Sequence, residues 1–233
     1  MRALIVLCLS LAACSPVDGP KSDVRGELGD RVGSARGAAV PARPTPVVPG
    51  DAPLVVFLGD SISAGLHLSS NQAFPAVLQA EFARRERPFR LVNAGVSGDT
   101  SAGGLERIDW LLKQKPSLVV LELGGNDGLR GQDLAAIEAN LRGIVAKTRA
   151  AGAEVLLLGM RIPPSYGKDY SEGFAALYGR IAKDMNVPSV PFFMERVGGV
   201  PELLLEDGLH PNARGHEILA ENVAPKLLEL LSH

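Results

Sequence analysis

Apolar residues follow two alternating patterns from about residue 54 to the C-terminus. The continuous apolar run at residues 54–58 is typical of a strand that is buried on both faces of a sheet, and residues 118–123 predict a second such strand. Between such runs, apolar residues recur every three or four positions, which is the spacing of an amphipathic helix. The pattern predicts strands at residues 54–58, 89–92, 118–123, 155–158 and 188–191, and helices at residues 72–85, 102–113, 133–150, 172–185 and 215–231.

The alternation of strands and helices predicts an α/β domain whose parallel sheet has helices on both faces, because parallel strands need crossover connections. Ligands of such sheets bind outside the carboxyl ends of the strands. Ser61 follows the first predicted strand, Gly95 the second and Asn126 the third. We therefore expect these three residues to lie together at one edge of the sheet.

The N-terminal residues predict a targeting segment that is not part of the fold. Arg2 precedes a short apolar run, residues 3–12, which is too short to span a membrane as a mature helix. The sequence Leu-Ala-Ala-Cys that ends at Cys14 resembles the bacterial lipobox. This resemblance implies that residues 1–13 are a signal peptide, that Cys14 bears a lipid anchor, and, with Ser15 next, that the protein faces the periplasm from the outer membrane. The alternative is an ordinary secretory signal and a periplasmic protein.

Residues 14–50 are predicted to form a flexible tether before the folded domain. Residues 15–50 contain six glycines, six prolines and no aromatic residue. Such a stretch cannot bury enough apolar surface to offset the entropy lost on ordering it. Residues 51–233 are then expected to form one domain, because a chain of 233 residues is short for two.

Composition and charge argue against several classes of protein. A net charge of −2 without a basic cluster argues against nucleic-acid binding. Both cysteines, Cys8 and Cys14, lie near the N-terminus, so we expect neither a disulfide nor a cysteine-based zinc site in the mature domain. Asp60, Asp127 and Asp207 are candidate metal ligands, but no cluster of further ligands accompanies them. We expect no metal, no organic cofactor and no protein partner.

Two serines follow the first strand, and Ser61 is the candidate nucleophile. It lies at the turn from strand to helix, where the helix N-terminus favours a developing negative charge. Ser63 is the rival nucleophile, although it lies further into the turn. A plain helix N-cap is the alternative for Ser61. We expect Asp60 to brace the turn by accepting backbone N–H groups.

His210 is the candidate base, because an aspartate precedes it by three residues. Asp207 can fold back across this turn and accept the Nδ1 proton, which leaves Nε2 to take the serine proton. A local Asp–His contact in a surface loop is the alternative. His216 stands at the start of the last predicted helix, where we expect it to be half exposed.

Amide donors for an oxyanion follow the second and third strands. Asn126 comes after two glycines, which permit a sharp turn with little bulk near a ligand. Its side-chain NH₂ group would bind the oxyanion, together with the backbone N–H groups of Gly95 and Ser61. The alternative is that Asn126 caps a turn. We expect Asp127 either to brace its loop or to cap residues 128–131.

Four short motifs together resemble the ordered blocks of the SGNH (GDSL-type) hydrolase family. They are Gly59-Asp60-Ser61-Ile62-Ser63, Asn93-Ala94-Gly95, Gly124-Gly125-Asn126-Asp127 and Asp207-Gly208-Leu209-His210-Pro211. Residues 123–131, 161–167 and 191–195 are similar to its bacterial acyl-CoA thioesterase I/lysophospholipase/arylesterase branch. The resemblance implies a three-layer α/β/α sandwich with a flavodoxin-like, five-stranded parallel sheet. It also implies catalysis by Ser61, Asp207 and His210, with an oxyanion hole of Ser61, Gly95 and Asn126.

This resemblance implies a serine esterase that hydrolyses carboxylic acyl esters or thioesters through an acyl-enzyme. Small acyl esters or lysophospholipids are the expected substrates. Candidates for the acyl groove are Gly128 and Leu129, after the oxyanion residue, and Ile162, Pro163 and Tyr166, after the fourth strand. Two alternatives stay open: a carbohydrate O-deacetylase that acts on envelope glycans, and a non-catalytic envelope lipoprotein that binds a ligand.

Overall fold

The computed structural model describes residues 47–232, which fold around a five-stranded parallel sheet. The strands are β1 (Leu54–Gly59), β2 (Arg90–Gly95), β3 (Leu118–Glu122), β4 (Glu154–Leu158) and β5 (Ser189–Val190). Their order is β2-β1-β3-β4-β5, and every neighbouring pair is parallel. The predicted parallel sheet is confirmed. The predicted signal peptide, Cys14 and most of the predicted tether lie outside the described residues.

Helices cover both faces of the sheet. They are α1 (Ser61–Ala64), α2 (Phe74–Arg84), α3 (Ser101–Leu112), α4 (Gly125–Leu129), α5 (Leu134–Ala150), α6 (Lys168–Asp184) and α7 (Ala213–Leu230), with 3₁₀ turns at Ser70–Gln72, Pro164–Tyr166 and Pro201–Leu203. Helix α2 packs against α7, and α5 packs against both α3 and α6. These two groups and the sheet form the expected three-layer sandwich. Within residues 47–232, no helix has both the length and the apolar character that a membrane crossing requires.

Helix α6 begins earlier than its apolar pattern predicts. It starts at Lys168, after the N-cap Gly167, whereas the predicted start is residue 172. The first fully buried side chain of this helix is Phe174. The first turn of α6 therefore lacks the regularly spaced apolar residues that would predict where this helix begins.

Two short helices that periodicity does not predict begin just after β1 and β3. Helices α1 and α4 have four and five residues, too few for a 3.6-residue repeat to be recognised. Gly124 makes the turn into α4 at a φ of 110°, and a Cβ there would lie 2.3 Å from the Tyr178 hydroxyl oxygen, so the turn requires glycine. The two helices place Ser61 and Asn126 at the carboxyl edge of the sheet.

His216 lies buried in the first turn of α7, so its expected half exposure was wrong. His216 is 1% exposed, stacks on the Phe74 ring and accepts a hydrogen bond at Nδ1 from the Phe74 N–H, 3.1 Å away. Burial, and secondarily the charge of His210, lowers the pKa of His216 to about 4. Gly215 allows this packing, since a Cβ there would lie 2.5 Å from the Leu203 carbonyl oxygen. His216 is therefore a neutral core residue at neutral pH.

Candidate active site

Ser61 and His210 meet at the carboxyl edge of the sheet. Ser61 is the first residue of α1, and its Oγ lies 2.8 Å from His210 Nε2 although the two residues are 149 positions apart in sequence. Ser61 is buried and His210 is half-buried, and both line a cavity. The pair has the geometry that proton transfer from a serine to an imidazole requires.

Asp207 orients the imidazole from the turn before it. Its Oδ2 lies 2.6 Å from His210 Nδ1, and its Oδ1 accepts hydrogen bonds from the backbone N–H groups of Leu209 and His210, both at 2.9 Å. These hydrogen bonds, with the His210 N–H first, lower the pKa of Asp207 to about 2. Asp207 therefore stays ionised in mild acid and holds the Nδ1 hydrogen, which leaves Nε2 to accept from Ser61.

A short antiparallel bridge holds this turn in place. Leu204 pairs with Pro211, and the Leu205 N–H donates to the His210 carbonyl oxygen at 2.7 Å. Gly208 makes the turn itself at a φ of 68°, in the left-handed region that favours glycine. The Asp–His turn is thus fixed by the backbone on both sides and directed at Ser61.

Asn126 is held by Asp60. Asn126 Nδ2 donates to Asp60 Oδ2 at 3.1 Å, and Asp60 Oδ1 accepts from the Ile62 N–H at 2.9 Å. The expected bracing role of Asp60 is confirmed, and the same carboxyl group also orients the Asn126 amide. An amide NH₂ group has two hydrogens, and the contact with Asp60 uses one of them. Asn126 lines the same cavity as Ser61.

Gly95 is the last residue of β2 and lies close to the backbone of α1. Its N–H donates to Asn93 Oδ1 at 3.0 Å, and a Cβ at this position would lie 2.3 Å from the Ala64 backbone nitrogen. Only a glycine lets β2 approach α1 this closely. Gly95 does not line the cavity, so its role in the oxyanion hole stays a prediction.

Asp127 anchors the start of α3. It is fully buried, its Oδ2 accepts from the Ser101 N–H at 2.9 Å, and its Oδ1 accepts from Ser101 Oγ at 2.6 Å. Both contacts go to the first residue of α3, so they correspond neither to bracing its own loop nor to capping residues 128–131. Among residues 47–232, no three or more histidine, cysteine, aspartate or glutamate side chains are grouped as ligands for a metal ion.

An apolar cavity of about 470 Å³ opens beside the Ser61–His210 pair, a size that suits a small ligand. Its wall contains some of the predicted groove residues and other apolar side chains that the sequence analysis missed. The predicted residues are Leu129, Ile162 and Pro163, and the missed ones include Met160, Phe192, Met194 and Leu204. Most of the missed residues follow β4 and β5, so the strand-end rule that located Ser61 and Asn126 also applies to them.

Two of the predicted groove residues lie outside the cavity lining. Gly128 is buried against α6, where a Cβ would lie 2.7 Å from the Phe174 ring, so its position serves packing. Tyr166 is 41% exposed, in the 3₁₀ turn that follows the wall. Arg161 does line the cavity, and its guanidinium lies 4.7 Å from the centroid of the Phe192 ring, which is a cation–π contact.

Glu122 is a buried acid of the site that the sequence analysis missed. It ends β3 and is 0% exposed, and burial raises its pKa well above the usual range. Ser63, also fully buried, donates from Oγ to Glu122 Oε2 at 2.6 Å. Ser63 is therefore not available as the rival nucleophile. The available signal was a single acidic residue inside the apolar run at residues 118–123, since an acidic side chain is seldom fully buried unless it is paired.

Known proteins resemble this chain in sequence and in structure. The sequence model of the GDSL-like Lipase/Acylhydrolase family matches residues 57–218. Esterase TesA of Pseudomonas aeruginosa is 49% identical over 178 residues, which are 76% of this chain and 89% of that protein. Thioesterase 1/protease 1/lysophospholipase L1 of Escherichia coli K12 is 44% identical over 180 residues, which are 77% of this chain and 85% of that protein. The crystal structure of TesA superimposes with a TM-score of 0.74 at 49% identity, over 76% of this chain and 99% of that one.

Proposed function

This chain belongs to the GDSL-like lipase/acylhydrolase family, and on that premise we propose that Ser61, His210 and Asp207 form its catalytic triad. Its activity is the hydrolysis of carboxylic esters or thioesters, in line with its esterase and thioesterase relatives. The 2.8 Å contact between Ser61 Oγ and His210 Nε2 is the observation that supports the triad most directly. The 2.6 Å contact between His210 Nδ1 and Asp207 supplies the orienting group of a serine hydrolase.

The triad supports a reaction in two steps. Ser61 Oγ attacks the acyl carbonyl carbon while His210 Nε2 takes the hydroxyl proton, and Asp207 stabilises the imidazolium that forms. The imidazolium then gives this proton to the departing alcohol or thiol, which leaves an acyl-enzyme on Ser61. His210 next takes a proton from water, and the water oxygen attacks the acyl carbon. The bond to Ser61 breaks, the serine regains its proton from His210, and the carboxylic acid is released.

We infer that Asn126 Nδ2 and the Ser61 backbone N–H bind the oxyanion of the tetrahedral intermediate, with the Gly95 N–H as the third predicted donor. Two observations support Asn126. Its side chain lines the cavity with Ser61, and the contact with Asp60 fixes its orientation while using one of its two amide hydrogens.

Asn126→Ala should lower kcat by about 10²–10³-fold, with a much smaller change in KM, because the lost donor acts on charge that develops only in the transition state. Steady-state kinetics on a p-nitrophenyl ester measure this change. Gln114→Ala is the control, since it removes an exposed amide that precedes β3 at the opposite edge of the sheet, and its kcat should stay near the wild-type value. An unchanged kcat in Asn126→Ala would exclude Asn126 from the oxyanion hole.

The apolar wall of the cavity favours an acyl chain as the bound group. Met160, Ile162 and Phe192 are among the side chains that would cover it, and each buried methylene contributes about 0.8 kcal/mol. We therefore propose substrates with a medium-length acyl chain, lysophospholipids included, rather than acetylated glycans.

Activity on p-nitrophenyl esters should rise with acyl length from acetate, by up to about fourfold in kcat/KM per methylene until the cavity is full. Leu129→Trp, which narrows the cavity, should move the optimum towards shorter chains. Leu112→Trp makes the same change on α3, outside the cavity lining, and should leave the optimum unchanged. Highest activity of the wild type on acetate would favour the O-deacetylase alternative.

We also propose that Cys14 is lipidated and that residues 14–50 tether the domain to the periplasmic side of the bacterial envelope. The lipobox-like sequence at Cys14 supports this proposal. Metabolic labelling with a fatty acid should mark the wild type and not Cys14→Ala. Absence of label from the wild type would leave an ordinary secretory signal as the better hypothesis.

A further inference from the structure

Two buried carboxyl groups lie next to the turn that contains Ser61. Asp60 is 3% exposed and Glu122 is 0% exposed. Glu122 Oε2 accepts three hydrogen bonds, from the Asp60 N–H at 3.2 Å, the Ser63 N–H at 3.2 Å and Ser63 Oγ at 2.6 Å. This oxygen therefore holds the backbone on both sides of Ser61.

The second oxygen of Glu122, Oε1, differs from its neighbours. It is buried and, within the described residues, has no hydrogen-bond partner among the N–H and O–H groups. Both oxygens of Asp60, by contrast, accept N–H groups, from Ile62 at 2.9 Å and from Asn126 at 3.1 Å. A buried carboxylate oxygen without a partner is costly, so native structures rarely contain one. A proton on Oε1 would turn this acceptor into a donor.

Asp60 is the candidate acceptor of such a proton, because its own N–H donates to the other oxygen of Glu122 at 3.2 Å and the charge of its buried carboxyl group acts on Glu122. If both groups were ionised, two negative charges would repel each other in a buried site. One proton shared between the groups removes the repulsion and also satisfies Glu122 Oε1.

We propose that Glu122 is a neutral carboxylic acid whose Oε1–H donates to Asp60, and that this proton makes Glu122 a positioning residue for Ser61 and Asn126. The negative charge of the pair lies on Asp60, which accepts the N–H groups of Ile62 and Asn126. The positioning role rests on the proposed function of Ser61 and Asn126, whereas the protonation of Glu122 does not.

The pKa shifts of the pair and the contacts of the titratable groups near it are consistent with this assignment. Burial raises the pKa of Asp60 to about 6, against the lowering effects of its hydrogen bonds and of the charge on His210. Burial, and then the charge of Asp60, raises the pKa of Glu122 well above the usual range. Tyr178 keeps its proton because burial raises its pKa as well, and Asp127 accepts both of its hydrogen bonds from the start of α3. These directions are the ones expected for a pair that keeps one proton on Glu122.

Infrared spectroscopy of the full chain at neutral pH tests the proton directly, since a protonated carboxyl group absorbs apart from ionised ones. The wild type should show a protonated-carboxyl band that Glu122→Gln lacks. Glu106→Gln, which changes an exposed glutamate, is the matched control and should keep the band. Retention of the full band in Glu122→Gln, or its absence from the wild type, would overturn the proposal.

The pH dependence of stability is a second measurement. Glu122 keeps its proton in the folded chain over a pH range in which the unfolded chain has already lost it. The free energy of unfolding therefore falls as pH rises through that range. The fall should be smaller in Glu122→Gln than in the wild type, because glutamine does not ionise. An equal fall in both proteins would contradict a neutral Glu122.

Kinetics test the positioning role. Glu122→Gln keeps an uncharged N–H donor and a carbonyl acceptor in place, whereas Glu122→Leu has neither and should have a kcat/KM lower than the glutamine variant by roughly 10- to 100-fold. The wild type should also lose activity in alkali, when the pair gains a second charge, and Glu122→Gln should not. Equal kcat/KM values for the two variants would overturn the positioning role. The infrared band does not depend on hydrolysis, so a wild type inactive on esters would refute the proposed function alone.

Discussion

The Ser61→Ala variant should hydrolyse a p-nitrophenyl ester about 10⁶-fold more slowly than the wild type. The Ser61 hydroxyl is the group that contacts His210 Nε2, at 2.8 Å, so alanine leaves the base without a nucleophile to activate. KM should change much less, because the cavity and the amide donors remain. Turnover measurements check this expectation, and a fluorophosphonate probe should label the wild type and not the variant.

Ser63→Ala is the matched control, because it removes a second hydroxyl from the same turn. Ser63 Oγ donates to the buried Glu122 at 2.6 Å, so its loss should lower the free energy of unfolding by about 1–3 kcal/mol. Fluorophosphonate labelling at Ser61 should persist in this variant. If the Ser61→Ala protein hydrolyses the ester at the wild-type rate, Ser61 is not the nucleophile. If the fluorophosphonate labels Ser63 instead, Ser63 is the nucleophile.

Asp207→Asn should reduce kcat by about 10⁴-fold. The asparagine oxygen can still accept the backbone N–H groups of Leu209 and His210. Its NH₂ group, however, would face His210 Nδ1, where a carboxylate oxygen now lies 2.6 Å away. Nδ1 must then accept a hydrogen bond, so the neutral ring carries its hydrogen on Nε2 and cannot take the serine proton. Steady-state kinetics at neutral pH measure the loss.

Glu206→Gln is the control for the charge of this loop, since it neutralises an exposed side chain one residue earlier. Its kcat should stay near the wild-type value. Because the pKa of Asp207 is about 2, ionisation of Asp207 should not contribute to the pH–rate profile of the wild type between mild acid and neutrality. An Asp207→Asn protein with the wild-type kcat would show that His210 needs no carboxylate partner.

The strands were predictable because most of them are buried on both faces. Most positions of such a strand are apolar, so a continuous apolar run locates it: residues 54–58 were predicted and Leu54–Gly59 is observed. The helices α1 and α4 were missed because four or five residues show no helical period. The early start of α6 was missed because its first turn buries no apolar side chain fully.

The Asp207–His210 pair was predictable for a different reason. Its contact spans three residues, so the chain brings the two side chains together locally. Ser61 and Asn126 were located by topology, since the carboxyl ends of parallel strands meet at one edge of a sheet. The same rule placed Gly95 at that edge, but it could not show that the Gly95 N–H binds Asn93. A backbone amide's direction depends on the conformation of its turn, which the strand pattern does not specify.

Short-range pattern was therefore sufficient for the five strands, the five longer helices, the Asp–His turn and the edge at which the polar residues collect. Only the tertiary structure showed that His216 and Glu122 are buried and that Ser63 donates a hydrogen bond to Glu122. It also showed which side chains line the cavity. The sequence pattern does not contain this information, because the neighbours that bury a side chain come from distant parts of the chain. The protonation of a buried acid depends on those neighbours as well, and they become adjacent only when the layers of the sandwich assemble.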